Sequence, residues 1–408
     1  MDEISSRTPV NPSQASTDVL VGASTDLLVG AATDVLVVGG GPAGLAAAIA
    51  LRQRGLACVV VEARSPAIDK ACGEGLMPDS IDCLASLGVQ LAESDGYAFR
   101  GIRFANPTHQ VDASFPNRAG IGIRRPHLHA KLAARAQEAG AQLLWNSHIQ
   151  LPAQLPASAG DRSAKVNGQP LSFRWLVGAD GEGSLVRRWA NLHPLRKESL
   201  RYGFRTHYRV APWSDFVEIH WGRAGQAYIT PVAPDCVCVV YVTRDRRCDR
   251  TRILAEFPRI ADRLRSAPTL SAQRGAVSAT RKLRRVAGGW VALIGDASGS
   301  ADSITGEGLA MSFRQAHALA ASIAAGSLAP YRRDHAQIAR LPHAKAALML
   351  TMDRWPAVEV RAMRALSANP GLFRELLSAH MGDRSLTAAA LRCGPRLVWN
   401  LLAAANPA

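Results

Sequence analysis

The stretch DVLVVGGGPAG, residues 34–44, leaves this chain few folds to choose from. The apolar run before the glycines is a strand buried on both faces, the habit of a parallel sheet covered by helices. Glycines at 39, 41 and 44 give the spacing G-x-G-x-x-G, and LAAAIALRQRG continues as a helix with Gly55 at its C-cap position. LACVVVEAR supplies a second strand ending near Glu62. In such a β-α-β unit Gly39 makes the tight turn, Gly41 lets the backbone approach a pyrophosphate, and Gly44 lets helix pack on strand. Pro42 and Ala43 open the helix, whose unpaired N–H groups and positive dipole end face the phosphates. Glu62 follows Gly39 by 23 residues, where a carboxylate accepts hydrogen bonds from a ribose 2′-OH and repels a 2′-phosphate.

Composition narrows the class. At 408 residues, 48% hydrophobic and 20% charged, the chain has the size of a two-domain enzyme with ample core. Its net charge is +15, with 42 arginines against six lysines. Such a charge suggests anionic partners, yet the arginines are scattered and no nucleic-acid-binding signature occurs, so nucleic acid is not expected. Seven cysteines include no C-x-x-C pair, which points to reduced thiols in a cytoplasmic protein with no bound metal. The N-terminus lacks the basic-then-apolar pattern of a secretory signal. The longest apolar run, Val35 to Leu51, is broken by four glycines and a proline and is not expected to span a membrane.

Along the chain, residues 1–14 are polar, an expected disordered lead. ASTDVLVG, ASTDLLVG and AATDVLVVG (15–39) are three near-copies of one octad. Only the third runs into the glycine turn, so residues 1–32 read as an extension built by duplication. Residues 33–200 carry the α/β texture, 201–279 turn into short alternating β runs such as FRTHYRV and CVCVVYVT, and WVALIGDA returns to α/β before a long helix. We therefore expect an α/β chain, α+β overall. A Rossmann-like dinucleotide domain (33–200 plus 280–328) carries an inserted antiparallel-sheet substrate domain (201–279), with a C-terminal helical cap over 329–408.

Three further motifs follow strands or open helices. Gly295-Asp296-Ala297 ends a strand, and Thr305-Gly306-Glu307-Gly308 opens the long helix, so Asp296 can meet a polyol hydroxyl and the helix N-terminus can stabilise negative charge. Asp180-Gly181, with Ser184 and Arg187 behind it, reads either as a turn or as a cofactor contact. Arg124 and Arg125 head an amphipathic helix, where a cation opposes the dipole unless a phosphate sits beside it; the other reading is a solvated surface pair.

In order and spacing these motifs resemble, over residues 33–325, the FAD-dependent monooxygenases of the p-hydroxybenzoate hydroxylase fold and the related geranylgeranyl-reductase-like oxidoreductases. The resemblance implies that Gly39, Gly41 and Gly44 hold the FAD pyrophosphate and Glu62 the adenosine ribose. It places Arg125 near the pyrophosphate, Asp296 on the flavin side, the Gly306–Gly308 turn at the isoalloxazine edge, and Asp180 in a motif linked to FAD and NAD(P)H. The loop Lys70–Pro78, KACGEGLMP, resembles the one that follows the second strand in these proteins. It either sets Cys72 or Glu74 over the flavin or merely packs on the cofactor. His207, His220 and Tyr228 are candidates for substrate contact from the sheet, and no residue is named catalytic.

The implied function is an FAD-dependent monooxygenase that hydroxylates an aromatic or lipophilic small molecule. NAD(P)H reduces the flavin, and a C4a-hydroperoxide formed with O₂ passes one oxygen to the substrate. The alternative is a reductase of isoprenoid double bonds, which the CGEGL loop and basic C-terminal helices suit, although the aromatic-rich Tyr-x-Trp-x-Phe-Pro segment of those reductases is missing. A flavin-binding scaffold is the non-enzymatic reading, and absence of W-x-W argues against a halogenase. The C-terminal helices carry arginines among Met, Leu, Trp and Val, the pattern of a peripheral membrane contact or of a solvated cap.

Overall fold

The computed structural model describes residues 32–156, 160–192, 195–247 and 250–381. The first two octad copies and the polar lead lie outside these residues, as does the end of the basic C-terminal region.

The expected β-α-β unit forms as Ala32–Val38, Pro42–Arg52 and Cys58–Val61. Around it runs a sheet ordered Ala287–Gly288, Val291–Leu293, Gln169–Gly178, Ala32–Val38, Cys58–Val61, Gln142–Leu144, whose last five strands pair in parallel. Chain order reverses at Ala32–Val38, because its neighbours on the two sides come from distant parts of the sequence. Open α/β sheets bind ligands at the carboxyl edge of such a switch point, and the glycine turn stands there. The Pro42–Arg52 helix is buried nearly all round, packing Leu45, Ala46 and Ile49 with Phe313, Ala316, Leu319 and Ile323 of the Gly308–Ala324 helix. Its alanines allow the close approach.

The second sheet is ordered Gly299–Ser300, Arg274–Leu283, Leu195–Arg209, Cys236–Thr243, Gly225–Ala233, Phe216–Trp221, Gly101–Ala105, Gln110–Ser114. Its core strands are the alternating runs read from 201–279. Gly101–Ala105 and Gln110–Ser114, which fall inside the 33–200 boundary expected for the nucleotide fold, complete this sheet instead. Gly101–Ala105 pairs in parallel with Phe216–Trp221, a non-local pairing that local pattern does not reveal. One face of the sheet is covered by the short helices Arg250–Ala255 and Pro258–Leu264 through Ile253, Phe257, Ile260 and Leu264. The other, inner face meets Ile304 and the C-terminal helices Ala329–Arg354, Pro356–Ala368 and Pro370–His380, which contribute Met352, Met363, Leu366, Phe373 and Leu377. Among the described residues no helix is long and apolar enough to cross a membrane.

Candidate active site

The glycine turn has the close approaches its spacing requires. Gly39 has φ +107°, and a Cβ there would lie 2.5 Å from the Ala179 carbonyl oxygen. A Cβ on Gly44 would lie 1.9 Å from the Gly39 oxygen, so helix and strand touch backbone to backbone. Gly41 differs: its Cβ would meet nothing within 4 Å, leaving open the space a phosphate needs. Gly41 is the N-cap, Pro42 starts the helix, and the first turn carries neither a capping side chain nor an acid. Anion-binding N–H groups at Ala43 and Gly44 are thus left for a ligand.

Two side chains fix this turn from below. Glu62 Oε2 accepts the Gly40 N–H at 2.9 Å, while its Oε1 accepts from the Arg64 backbone N–H at 3.1 Å. His129, fully buried, holds the Gly40 carbonyl oxygen from Nε2 at 2.9 Å. Burial drives the His129 pKa down to about 4, so the ring is neutral and its Nε2–H donates.

Beside the turn, the Arg125–Glu138 helix begins with Arg124 as N-cap, and the Nε atoms of Arg124 and Arg125 are buried with no hydrogen-bond partner. Cations at a helix N-terminus with buried unsatisfied donors need an anion. That requirement, together with the open space at Gly41, fits a pyrophosphate.

Asp296 stands at the other end, in the turn that follows Val291–Leu293. Its carboxylate accepts from Lys70 Nζ at 2.8 Å, and both side chains are half-exposed. Desolvation pushes the Asp296 carboxyl up, but Lys70 first, then Arg125 and Arg281, hold it below the usual carboxylate range. Arg187 ties the same turn to the 180–187 loop by donating to the Ala297 carbonyl oxygen at 3.0 Å. Asp180 accepts from Ser184 Oγ at 2.5 Å and from the backbone N–H groups of Leu185 and Val186 at 2.6 and 3.1 Å. Its carboxylate is therefore engaged in starting the Leu185–Trp189 helix, the turn reading of that motif. Gly306 takes a left-handed conformation at φ +68° and Gly308 begins the long helix, with buried Glu307 paired to Lys345 Nζ at 2.6 Å.

Between these ends the KACGEGL loop meets the second sheet in a buried cluster. Glu74 Oε2 and His207 Nε2 are 2.6 Å apart, both side chains fully enclosed. Arg205, equally enclosed, donates to Asp69 at 2.8 and 2.9 Å and approaches Glu74 Oε1 at 3.5 Å. His207 Nδ1 reaches Ser271 Oγ at 2.9 Å, and Glu74 Oε1 accepts the Arg125 backbone N–H at 2.9 Å. Glu74 therefore links the cation-bearing helix to the sheet. Glu74, His207 and Cys238 also bring one ligand atom each within 4.8 Å of one another. A metal is poorly served there: the Arg205 guanidinium is 3.1 Å from His207 Nδ1, and burial pushes the Cys238 thiol well above its ordinary range, away from the thiolate that binds metal.

Of the three sheet candidates, His207 and Tyr228 face the interior. Tyr228 donates to Gln226 Oε1 at 3.0 Å beside the buried Arg201–Asp302 pair. His220 pairs instead with Glu218 at 2.8 Å. Sequence reasoning passed over Lys70, Arg201 and Arg205. The alternation in LRYGFRTHYRV was the available signal, since it sets Arg201, Arg205 and His207 on one side of a strand.

Residues 32–351 match the family described as an FAD binding domain. A menaquinone reductase of Mycobacterium tuberculosis is 30% identical over 192 residues, 43% of this chain and 45% of that protein. The chain thus matches less than half the length of that relative. A chloroplastic geranylgeranyl diphosphate reductase of Oryza sativa is 26% identical over 314 residues, 71% of this chain and 66% of that protein. A 3-(3-hydroxy-phenyl)propionate/3-hydroxycinnamic acid hydroxylase of Mycobacterium avium is 31% identical over 173 residues, 37% of this chain and 30% of that protein. Among solved structures, a flavoprotein/dehydrogenase from Cytophaga hutchinsonii superposes with a TM-score of 0.74 at 19% identity, over 86% of this chain and 92% of the other.

Proposed function

Because the chain belongs to the FAD-binding domain family, we propose that it is an FAD-dependent oxidoreductase acting on a neutral, lipophilic small molecule, and that it saturates a carbon–carbon double bond in an isoprenoid-type chain. The observation that carries the substrate class is the internal pairing of charge on the inner face of the second sheet. Arg201 is bound by Asp302 and Arg205 by Asp69 and Glu74, so both charges are already met by carboxylates, although Arg205 Nε itself has no partner. Around them the face is apolar, with Val217, Cys238 and Val240 from the strands, Phe99 packed in the same cluster, and Met352, Met363, Phe373 and Leu377 from the helices above. A neutral greasy molecule fits such a layer and a charged small acid does not. The likeness to two reductases supports the chemistry.

Residue roles follow from the geometry. Gly39, Gly41, Pro42, Ala43 and Gly44 would hold the FAD pyrophosphate against the helix N-terminus, with Arg125 neutralising it and Glu62 taking the ribose. Asp296, Gly306 and Gly308 would receive the flavin end, and Asp180 would keep the neighbouring loop in shape. When bound, FAD supplies hydride chemistry, with NAD(P)H proposed as its reductant. Saturating a double bond consumes a proton as well. The Glu74–His207 pair can hold that proton between Oε2 and Nε2, and Ser271, half-buried, can resupply it at Nδ1. The C-terminal helices keep water from this layer.

A second reading, hydroxylation of an aromatic or lipophilic substrate with O₂, is favoured by the likeness to the M. avium hydroxylase. Product mass separates the two. Reduced protein given prenylated and aromatic substrates should yield a gain of two hydrogens under nitrogen. Dependence on air, with one ¹⁸O from ¹⁸O₂ in the product, would replace the reductase by the hydroxylase.

A further inference from the structure

The inner side of the Ala329–Arg354 and Pro356–Ala368 helices is core, and their outer side is unusual. Of the large hydrophobic residues exposed in the described chain, Leu348 at 62% and Trp355 at 56% are the two most exposed, and Val360 lies on the same helix pair. Trp355 stands at the corner where one helix ends and the next begins, with the Arg354 guanidinium 5.6 Å from its ring centroid. On the second helix Ala357, Val360, Arg361 and Arg364 recur at helical spacing and, with Pro356, line a shallow groove. The acids of this stretch are turned away: Asp353 is bound by Arg201 and Arg244, and Glu359 accepts from Asn106 at 2.8 Å. Arg354 and Arg361 are exposed and make no ion pair among the described residues.

We propose that this face docks on an anionic lipid bilayer, with Leu348, Trp355 and Val360 entering the interfacial region and Arg354 and Arg361 meeting the headgroup phosphates. The charge of Arg354 and Arg361 is complementary to an anionic surface and is met by no acidic group among the described residues. A tryptophan ring suits the boundary between water and acyl chains, and arginine stems reach along apolar surface while their heads stay wet. No described helix can span the bilayer, so the mode is lying on the surface. Position adds a reason. The same helices present Met352, Met363 and Leu366 to the apolar layer assigned above to the substrate, so a molecule leaving the bilayer has a single helix layer to pass. That last step rests on the proposed lipophilic substrate; the docking itself does not.

The test uses the full-length, FAD-loaded protein and sedimentation with extruded vesicles of phosphatidylcholine alone or with 30% phosphatidylglycerol. Binding to the anionic vesicles should exceed binding to the neutral ones at least tenfold and should weaken as salt rises. Leu348→Ser/Trp355→Ala/Arg361→Glu should lower it at least tenfold while bound FAD per chain stays the same. The paired control Leu200→Ser/Val277→Ser removes exposed apolar side chains elsewhere and should bind as the parent does. Equal binding of parent and triple variant would overturn the proposal. So would a concentration-dependent dimer that the triple variant abolishes, because a second copy would then be the occupant. Turnover is not read, so loss of the reductase reading leaves this outcome unaffected.

Discussion

Gly41 and Gly44 lie three residues apart in one turn, yet a side chain at each should fail for a different reason. Gly41→Val projects into open space, so the protein should fold with its thermal midpoint almost unchanged and purify colourless. Gly44→Ala drives a methyl to within 1.9 Å of the Gly39 oxygen, which forces helix off strand. Overpacking of this kind costs about 1–3 kcal/mol, so the Gly44 variant should melt several degrees lower as well as lose FAD. A Gly41→Val protein that purifies fully yellow would remove the pyrophosphate from this turn. Asp296→Ala should weaken FAD retention by about 1.5–3 kcal/mol, the cost of leaving a charge-assisted partner unmet, and equilibrium titration of apoprotein reads it. The turn was legible because its requirements are local: strand, glycine spacing and helix all sit within residues 34–52. Lys70 was not, because the carboxylate it meets is 226 residues away.

At the scale of elements, the loop after the second strand is held to the inserted sheet by one strand. Arg205 on Leu195–Arg209 faces Asp69, Glu74 and His207, and with Arg205 and Glu74 fully enclosed the guanidinium cannot be traded for water. Arg205→Met should therefore cost about 3–5 kcal/mol, since it strips the enclosed Glu74 of its guanidinium and leaves Asp69 with Arg274 alone. Glu74→Gln keeps the shape and the acceptor for the Arg125 N–H, so it should fold, retain FAD, and lose turnover mainly in kcat with KM little changed. Equal loss in both constants would return Glu74 to a purely structural role. Element types came readily from periodicity: the apolar runs became strands, and RPHLHAKLAARAQEAG became the helix Arg125–Glu138. Sheet membership did not. Gly101–Ala105 carries nothing in its own pattern to say that its partner is Phe216–Trp221, and a parallel pair needs a long crossover that local reading cannot follow.

Over the whole molecule, acid should act through buried histidines before it acts through carboxylates. Burial lowers His129, His335 and His343 from 6.5 to about 4. A depressed histidine contributes stability that is fully present above the unfolded value of 6.5, falls as pH drops below it, and levels off near 4. For fully buried His129 the full window is worth on the order of 3 kcal/mol. Asp95, lowered to about 2 after burial is outweighed by Lys131 and His127, loses its contribution only in the lower window, as pH falls from the ordinary carboxylate range toward 2. Glu307 and Glu182 run the other way, because burial raises their carboxyls above the ordinary 4.5 and acid relieves them, so they blunt the loss inside the histidine window rather than below it. Urea unfolding at pH steps from 8 to 4 should show stability flat above about 7 and falling from there toward 4. His129→Gln should reduce that fall by one proton's share, because an amide offers the Gly40 oxygen a donor that does not titrate. The same variant should let FAD survive mild acid better, since protonating His129 buries a charge and an unpartnered Nδ1–H directly behind the turn. Stability that is level between pH 7 and 5, or a His129→Gln profile superimposable on the parent, would mean that the ring is not the neutral buried donor described here.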